Sequence, residues 1–553
     1  MKKRLLSLGL VAAMSLSVFT ACNDTADTSS SSTNATEETT TAGGSVAEDG
    51  YAYVQDLNII DDNYRNYYEI FVYSFYDSDG NGIGDINGVT QKLDYIEDMG
   101  CNGIWLMPIM PSNTYHKYDV KDYYGIDPQY GTIEDFKKLA DECEKRDIKL
   151  IIDFVINHSS SQHEWFKEAT KYLRELPAGA TPSAEECKYY DYYNFSTTKA
   201  NNTWFKVSNS NYYYEGSFWD QMPDLNLQSP ELRKELEDTA KFWIEDMGVD
   251  GFRMDAVMHF DEVNTQLNVD TIDWFYNYCL TLDPEFYMVS EVWADQSKIA
   301  EYYKSDTPSY FNFSLAGPEG TLISAGRGTT TASVFVNQLI SCQELYSANK
   351  PDYIDAPFIT NHDMGRVANA LASNPAKLKM TAGLLLTMNG SPFVYYGEEI
   401  GMKSSGDKDE NKRLPMVWSK TDATGMTKGP SAADKGIESS FDGVDAQLED
   451  DLSLLNYYKR AIRIRNENPE IARGTIKAVE SLCEKHQAAI TKTWNGSTIG
   501  IVYNTSSEEI TVDISGTDLE KMGIRGYLTT NGEVVTLKEG KLVMPPRSIC
   551  ILK

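Results

Sequence analysis

The chain has 553 residues, of which 41% are hydrophobic and 12% aromatic, so two or three domains with a large packed core are expected. Its formal net charge at pH 7 is −32. Because the nucleic-acid backbone is also negative, this charge argues against nucleic acid as a partner. The acidity suits an exported protein that recruits cations, although a charged and solvated surface alone would also account for it.

The N-terminus has the three parts of an export signal. A basic start at residues 2–4 is followed by an apolar stretch that runs to Phe19, and the segment ends at Cys22. This ending resembles a bacterial lipobox, in which the cysteine is lipidated and becomes the new N-terminus. We therefore predict a lipoprotein signal peptide over residues 1–22 and a lipid-anchored protein on the bacterial cell surface. An ordinary secretory signal is the alternative, since phenylalanine is unusual three residues before the cysteine.

Residues 23–50 are rich in Ser, Thr and acidic side chains, and their only large apolar residue is a single valine. A segment that cannot bury apolar surface does not pack into a domain, so a disordered linker is predicted here. The linker would hold the following domains away from a membrane that carries the lipid.

Without Cys22 the chain retains seven cysteines, at positions 101, 143, 187, 279, 342, 483 and 550. An odd number argues against a disulfide framework. One bridge that includes Cys187 remains open as an alternative.

Eight apolar, strand-like runs follow one another along the chain and are separated by segments with helical spacing. The runs cover residues 68–76, 103–110, 149–155, 251–257, 286–292, 309–315, 356–362 and 392–397. Eight strands that alternate with helices predict an α/β fold, a (β/α)8 TIM barrel, whose active site lies at the carboxyl ends of the strands.

Two further units interrupt or follow this pattern. Residues 159–221 form a long, aromatic-rich segment after the third strand, which predicts an inserted domain because a loop of that length normally has its own structure. Residues 469–553 contain short alternating runs separated by turn residues, which predict an antiparallel β-sandwich. The catalytic barrel would then comprise residues 51–158 and 222–468.

Carboxylates stand at the ends of four of the predicted strands. They are Asp153 in DFVINH, Asp255 in GFRMDAVMH, Glu291 in EVWA and Asp363 in FITNHD. Carboxylates that meet at one rim can break a glycosidic bond, because one group attacks while another protonates the leaving oxygen. Arg253 lies two residues before Asp255, on the same face of the strand, where a guanidinium can keep the carboxylate ionised. A single aspartate at a strand end could instead simply cap the next helix.

The order and the amino-acid sequences of these segments resemble those of the α-amylase family of glycoside hydrolases, family 13. The resemblance implies that Asp255 is the nucleophile and Glu291 the general acid and base. It implies that Asp363 is the third catalytic carboxylate, which binds sugar hydroxyls. Asp153 would have a structural role in supporting the arginine.

Histidines are concentrated around these segments: three of the six in the chain, His158, His259 and His362, lie in them, and His116 lies in TYHKYD, another segment that resembles the family. The resemblance implies substrate contacts for a set of residues around the cleaved bond, namely Tyr115, His116, Tyr118, His158, Arg253 and His362. One departure is Met258, at a position where many α-amylases have a lysine.

An oxygen-rich loop follows the first predicted strand. Its possible ligands are Asp77, Asp79, Asn81, Ile83 through its carbonyl, and Asp85. The spacing is that of the first part of an EF-hand, but Gly88 replaces the glutamate at the twelfth position. The family resemblance implies a calcium loop here, and Asn157 matches another calcium ligand of many amylases. A solvated acidic turn without a metal is the alternative.

Two further segments, residues 222–226 (MPDLN) and 412–418 (KRLPMVW), resemble the branch between α-amylases and oligo-1,6-glucosidases or neopullulanases. We expect a retaining, endo-acting α-amylase that cleaves α-1,4 bonds of starch and malto-oligosaccharides. The alternatives are an exo-acting α-glucosidase, a neopullulanase or a cyclomaltodextrinase. A glucan-binding protein on an inactive barrel is disfavoured because all three carboxylates are present.

Overall fold

The structure is a computed structural model that describes residues 62–553. The predicted signal peptide, the lipidation site Cys22 and the linker at residues 23–50 lie outside the described residues. Within residues 62–553, no helix combines the length and the apolar composition that crossing a bilayer requires. All seven cysteines of this part of the chain are free thiols.

Eight short parallel strands form one sheet in the order β10-β9-β8-β7-β3-β2-β1-β11. The strands are β1 (Tyr67–Ile70), β2 (Gly103–Leu106), β3 (Lys149–Phe154), β7 (Gly251–Met254), β8 (Tyr287–Ser290), β9 (Ser309–Phe311), β10 (Ile354–Ala356) and β11 (Phe393–Tyr395). The two ends of the sheet meet where Phe393 N–H donates to Pro357 O at 2.9 Å and Ser391 N–H donates to Asp355 O at 2.7 Å. The predicted TIM barrel is confirmed.

The strands are shorter than their apolar runs predict. The first run continues to residue 76, but β1 ends at Ile70 and a helical turn follows. The seventh apolar run predicts a strand over residues 356–362, whereas β10 covers Ile354–Ala356. The cause is that the loops leaving the strands turn inward: Phe71 and Phe75 are fully buried although they lie beyond β1. Apolar composition therefore predicts which residues are buried here, and it does not predict where the hydrogen-bonded strand ends.

Helices surround the strands and supply the outer layer. They are α1 (Val72–Phe75), α2 (Ile86–Gln91), α3 (Leu93–Met99), α4 (Ile133–Lys145), α6 (Pro230–Lys241), α7 (Thr265–Leu282), α8 (Gln296–Tyr302), α9 (Thr321–Arg327), α10 (Ala332–Asn349), α11 (Val367–Ala370), α12 (Pro375–Leu386), α13 (Val444–Leu448), α14 (Leu454–Glu467) and α15 (Glu470–Arg473). In α4, Thr132 and Asp135 form a reciprocal capping box that fixes the helix start. Its buried residues Phe136, Leu139 and Cys143 recur at helical spacing and face the barrel.

The segment after β3 forms a small unit of its own. It contains α5 (Glu164–Glu175), a 3₁₀ turn (Lys188–Tyr192) and a three-stranded sheet of β4 (Phe195–Ser196), β5 (Trp204–Lys206) and β6 (Tyr213–Glu215). Phe166 packs edge-on against Tyr193 and Tyr214, with ring centroids 5.0 and 4.9 Å away. His158 and Asp224 form an antiparallel bridge, so the insert leaves and rejoins the barrel at adjacent points.

The C-terminal part consists of two antiparallel sheets in the orders β12-β13-β14-β19-β16 and β15-β18-β17. The strands are β12 (Thr475–Ala478), β13 (Gln487–Trp494), β14 (Ser497–Asn504), β15 (Ile510–Asp513), β16 (Ile524–Thr529), β17 (Thr536–Lys538), β18 (Lys541–Met544) and β19 (Ser548–Leu552). Val502, Val512 and Leu542 belong to a second apolar core that both sheets share. The other face of the large sheet, including Tyr503 and Ile549, joins the barrel core.

Candidate active site

Two carboxylates at the rim of the barrel contact the same arginine. Asp255 follows β7 and Glu291 follows the neighbouring strand β8. Arg253 Nη1 lies 2.6 Å from Asp255 Oδ1, and its Nη2 lies 3.2 Å from Glu291 Oε2. The guanidinium is 1% exposed and therefore bonds in a weakly screened environment. One rigid, planar group thus fixes the separation of the two carboxylates.

Asp153 holds this arginine from below. Arg253 Nη1 donates to both oxygens of Asp153, at 2.8 and 3.1 Å. Tyr118 donates its hydroxyl to Asp153 Oδ2 at 3.0 Å. The Asp153 side chain is fully buried, so it is placed to orient Arg253 rather than to touch a substrate.

The backbone after Asp255 takes an unusual turn. Ala256 adopts the left-handed conformation, with φ of 53°, which costs energy for a residue with a Cβ. In this turn the Ala256 N–H donates to Glu291 Oε2 at 2.9 Å. The strained residue therefore positions the second carboxylate relative to the first.

Asp363 belongs to a separate charged group beside this pair. His362 Nε2 lies 3.0 Å from Asp363 Oδ2, and His362 Nδ1 donates to Glu69 Oε1 at 2.6 Å. Arg413 Nη2 lies 2.8 Å from Asp363 Oδ1. The same arginine donates from Nε to the His362 carbonyl at 3.2 Å. Asp363 is thus held between a histidine and an arginine.

Burial and neighbouring charges set the protonation of the group. Burial raises the pKa of both Asp255 and Glu291, and Arg253 opposes the rise in each. The Asp255 and Asp363 carboxylates add to the rise in the pKa of Glu291. Burial likewise raises the pKa of Asp153, to about 7, and Arg253 opposes the rise there too.

Around Asp363, the neighbouring charges outweigh the effect of burial on the pKa values. Burial alone would lower the pKa of His362, but Asp363 and Glu69 outweigh it and raise that pKa to about 9. Burial alone would raise the pKa of Asp363, but His362 and Arg413 hold it below its ordinary range. At neutral pH the histidine is therefore a cation and Asp363 an anion.

The carboxylates open into a cleft with a volume of about 710 Å³, within the range of roughly 300–1,000 Å³ that is usual for ligand sites. Its lining includes the three carboxylates and Arg413, together with His116, Tyr118, His158, Phe218, Trp219, Met222, Met258, His259, Trp293 and Asp409. Burial lowers the pKa of His116 and of His158 to about 4, so both imidazoles are neutral at pH 7. Phe218, Trp219 and Trp293 each expose about half of their surface (48%, 48% and 51%).

Three predicted contacts do not line this cleft: the Arg253 and His362 side chains are each only 1% exposed, and Tyr115 lies one layer further out. Its hydroxyl accepts from Arg413 Nη1 at 3.1 Å, and its ring packs edge-on against Phe71 and Tyr73. It lines an adjoining cavity with His116 and Trp219. Met258, at the position of the family lysine, lies in a 3₁₀ turn (Val257–His259) on the cleft wall.

Sequence reasoning missed three charged residues of the site: Glu69, Arg413 and Asp409, the last of which lines the cleft. Glu69 is hydrogen-bonded to His362. The sequence feature that could have identified it is a charged residue inside the apolar strand β1. Arg413 holds Asp363 from a segment 50 residues further along the chain. It lies in the KRLPMVW motif, but no local spacing connects that motif to Asp363.

The acidic loop after β1 brings its carboxylates together. Asp77, Asp79 and Asp85 have oxygen atoms within 4.8 Å of one another, an arrangement of hard ligands that suits Ca²⁺. Asn81 and Ile83 lie in the same turn, where the Ile83 N–H donates to Asn81 Oδ1 at 2.8 Å.

Asn157 is not part of that cluster. Its side chain lies against His158 and Asp224, with Nδ2 donating to Asp224 Oδ1 at 3.4 Å. Across residues 62–553, the only group of three metal-ligating side chains is that of the acidic loop.

Carboxylates placed on one guanidinium at the carboxyl ends of barrel strands define a glycoside hydrolase. The profile of the alpha amylase catalytic domain matches residues 69–474. The chain therefore belongs to the alpha-amylase family.

Individual relatives agree with this assignment. Alpha-amylase 3 from Dictyoglomus thermophilum is 36% identical and covers 89% of this chain and 93% of its own length. The solved structure of Eubacterium rectale Amy13B has a TM-score of 0.87 at 45% identity, covering 90% of this chain and 97% of that one. Neopullulanase 2 from Thermoactinomyces vulgaris is 27% identical over 84% of this chain and 69% of its own length.

Proposed function

We propose that this glycoside hydrolase is a retaining, endo-acting α-amylase that hydrolyses α-1,4 bonds of starch and malto-oligosaccharides. The observation that carries the proposal is the shared contact of Asp255 and Glu291 with Arg253 at the floor of an open cleft. A retaining mechanism needs two carboxyl groups about 5–5.5 Å apart, and a common guanidinium keeps them close.

Each carboxylate has a distinct task in this mechanism. Asp255 attacks the anomeric carbon and forms a glycosyl ester, while Glu291 gives its proton to the leaving oxygen. Glu291 then takes a proton from water, which attacks the ester and releases the product with the original configuration. Asp363 binds sugar hydroxyls, and its negative charge stabilises the oxocarbenium-like transition state.

The shape of the cleft favours endo cleavage. Phe218 and Trp219 come from the insert, whereas Trp293 follows Glu291 on the barrel. These exposed rings flank the carboxylates from different elements and offer flat apolar surfaces for several sugar units of a longer chain. A site for exo cleavage would close on one side of the catalytic carboxylates.

The alternatives are an exo-acting α-glucosidase, a neopullulanase and a cyclomaltodextrinase. The MPDLN and KRLPMVW segments, and the similarity to a neopullulanase, support the intermediate branch of the family. A timed product analysis on amylose, pullulan and cyclodextrin separates these activities. We expect a rapid loss of iodine colour with amylose and a mixture of malto-oligosaccharides. Release of glucose without loss of iodine colour, or faster hydrolysis of pullulan, would overturn the assignment.

We further propose that the acidic loop binds calcium. The family resemblance and the convergence of Asp77, Asp79 and Asp85 support this. A bound cation would stabilise the fold because it binds only the folded loop. Chelation should lower the thermal midpoint, and added Ca²⁺ should restore it. Asp77→Asn should abolish both responses, whereas the exposed control Asp141→Asn should keep them. A wild-type midpoint indifferent to chelator would exclude the site.

We also propose export and attachment to the bacterial membrane through a lipid on Cys22. Radiolabelled palmitate should enter the wild-type protein and not a Cys22→Ser variant. Membrane-free secretion of the wild-type protein would favour the ordinary signal peptide.

A further inference from the structure

One segment of the chain connects the catalytic site to the acidic loop. We call residues 412–428, which follow β11, the strap. At its beginning, Lys412 Nζ donates to the Asp363 carbonyl at 2.9 Å and Arg413 Nη2 contacts the Asp363 carboxylate at 2.8 Å. The strap therefore holds both the backbone and the side chain of this residue.

The middle of the strap is fixed to the turn that follows β1. Ser74 donates its hydroxyl to the Arg413 carbonyl at 2.7 Å, and the Met416 N–H donates to the Ser74 carbonyl at 2.8 Å. Trp418 donates from its indole nitrogen to the Phe75 carbonyl at 2.6 Å. The Trp418 ring is 6% exposed, so this contact is dry and rigid.

The end of the strap is paired with the acidic loop itself. The Asp77 N–H donates to the Gly425 carbonyl at 2.9 Å, and the Lys428 N–H donates to the Gly82 carbonyl at 2.8 Å. Lys428 Nζ also lies 3.4 Å from the Asn81 carbonyl. Gly425 has φ of +72°, and a Cβ there would lie 2.0 Å from the Tyr76 ring. Because the strap approaches the Tyr76 ring so closely, it can take only one position against the loop.

We propose that the strap is a positioning element, which sets Asp363 in the catalytic site from the acidic loop. Five strap residues are bonded to residues 74–82. The Lys412 and Leu414 carbonyls are also held by Arg366, Tyr395 and Tyr396. Any change in the loop, including the binding of a cation by its carboxylates, is transmitted to Asp363. The proposal rests on the proposed function, because it assigns Asp363 to the transition state.

The chain offers a matched pair of glycines for the test. Gly425→Ala forces the strap away from Tyr76, whereas Gly436→Ala introduces the same left-handed strain, at φ of +80°, where no atom lies within 4 Å of the new Cβ. Both variants should fold, and Lys428→Met provides a milder change if Gly425→Ala does not.

We expect Gly425→Ala to lower kcat about tenfold, with KM changed less than twofold, because Asp363 acts in the transition state. Gly436→Ala should behave as the wild type.

Hydrogen exchange measured by mass spectrometry separates this proposal from the proposed function. Gly425→Ala or Lys428→Met should increase amide exchange around residues 362–366 even if the substrate has been misassigned. If exchange rises in the strap while exchange at residues 362–366 and kcat stay as in Gly436→Ala, the coupling is refuted. A wild-type protein without activity on α-glucans would refute the proposed function alone.

Discussion

Arg253 is the residue on which the chemistry depends. Its guanidinium faces the three carboxylates of Asp153, Asp255 and Glu291, within 2.6 to 3.2 Å. Burial raises the pKa of each of these carboxyl groups, that of Asp153 to about 7, and Arg253 opposes the rise. Under the proposed function, the longer contact with Arg253 suits Glu291 to be the proton donor beside an ionised Asp255.

Replacing Glu291 by glutamine tests this division of roles. Glu291→Gln should lower kcat on starch by about 10²–10⁴, because general acid catalysis contributes that much. The loss should be much smaller in the first step of an aryl glycoside, whose leaving group needs no proton. The exposed control Glu301→Gln, at the end of α8, should be fully active. Equal losses on starch and on the aryl glycoside would refute the assignment of Glu291 as the acid.

The sequence predicts where the strands begin better than where they end. Asp255, Glu291 and Asp363 were identified because each follows an apolar run, and the structure brings them to one cleft. The runs themselves overestimate the strands, since loop residues such as Phe71 are as buried as strand residues. Parallel strands are buried on both faces, so their sequences lack the alternation of apolar and polar residues that would show where a strand ends.

Contacts between distant segments could not be predicted in the same way. Glu69 reaches the Asp363 group from the first strand and Arg413 from the segment that follows the eighth, so their roles follow from barrel closure. The left-handed turn at Ala256 has no sequence signal, because alanine carries no preference for that conformation. Tertiary structure imposes this conformation, in which the Ala256 N–H donates to Glu291 Oε2.

Glu398, just after β11, gives a prediction about alkaline stability. Its carboxyl accepts from Tyr458 Oη at 2.9 Å and from Thr360 Oγ1 at 3.1 Å, and burial raises its pKa from 4.5 to about 8. Because the folded state holds this proton more tightly, the stabilisation is complete below pH 4.5 and is lost as the pH rises through about 8.

Glu398→Gln should remove this dependence. The glutamine is isosteric and uncharged, so the thermal midpoint should fall less between pH 7 and pH 9 than it does in the wild type. Calorimetry at several pH values measures the difference, and the exposed control Glu449→Gln should follow the wild-type curve. Parallel curves for Glu398→Gln and the wild type would show that the carboxyl is ionised at neutral pH.

The barrel and the C-terminal sheets share a core. Tyr503 and Ile549 from the large sheet pack into the same apolar cluster as the barrel strands. Lys492, on β13, is fully buried and donates to the Thr387 and Ile471 carbonyls at 2.8 and 2.7 Å. The C-terminal part is therefore tied to the barrel by apolar packing and by a buried amine, so the two should unfold together.

Removing that amine should destabilise the protein. Lys492→Met leaves buried carbonyls without a donor, at a cost of about 1–3 kcal/mol each. We expect a single calorimetric transition at a lower temperature than in the wild type. Lys541→Met, which removes an exposed ion pair with Asp513, should change the midpoint little. Two separate transitions in the wild-type protein would show that the C-terminal sheets fold independently.

Trapping of the glycosyl ester tests the proposed chemistry most directly. A 5-fluoro glycosyl fluoride has an activated leaving group, and its fluorine slows the second displacement, so the covalent intermediate should accumulate on the wild-type enzyme. After peptic digestion, mass spectrometry should locate the sugar on Asp255, within the peptide that contains residues 251–259. An adduct on another carboxylate, or steady turnover with inverted product and no adduct, would contradict the assignment of Asp255 as the nucleophile.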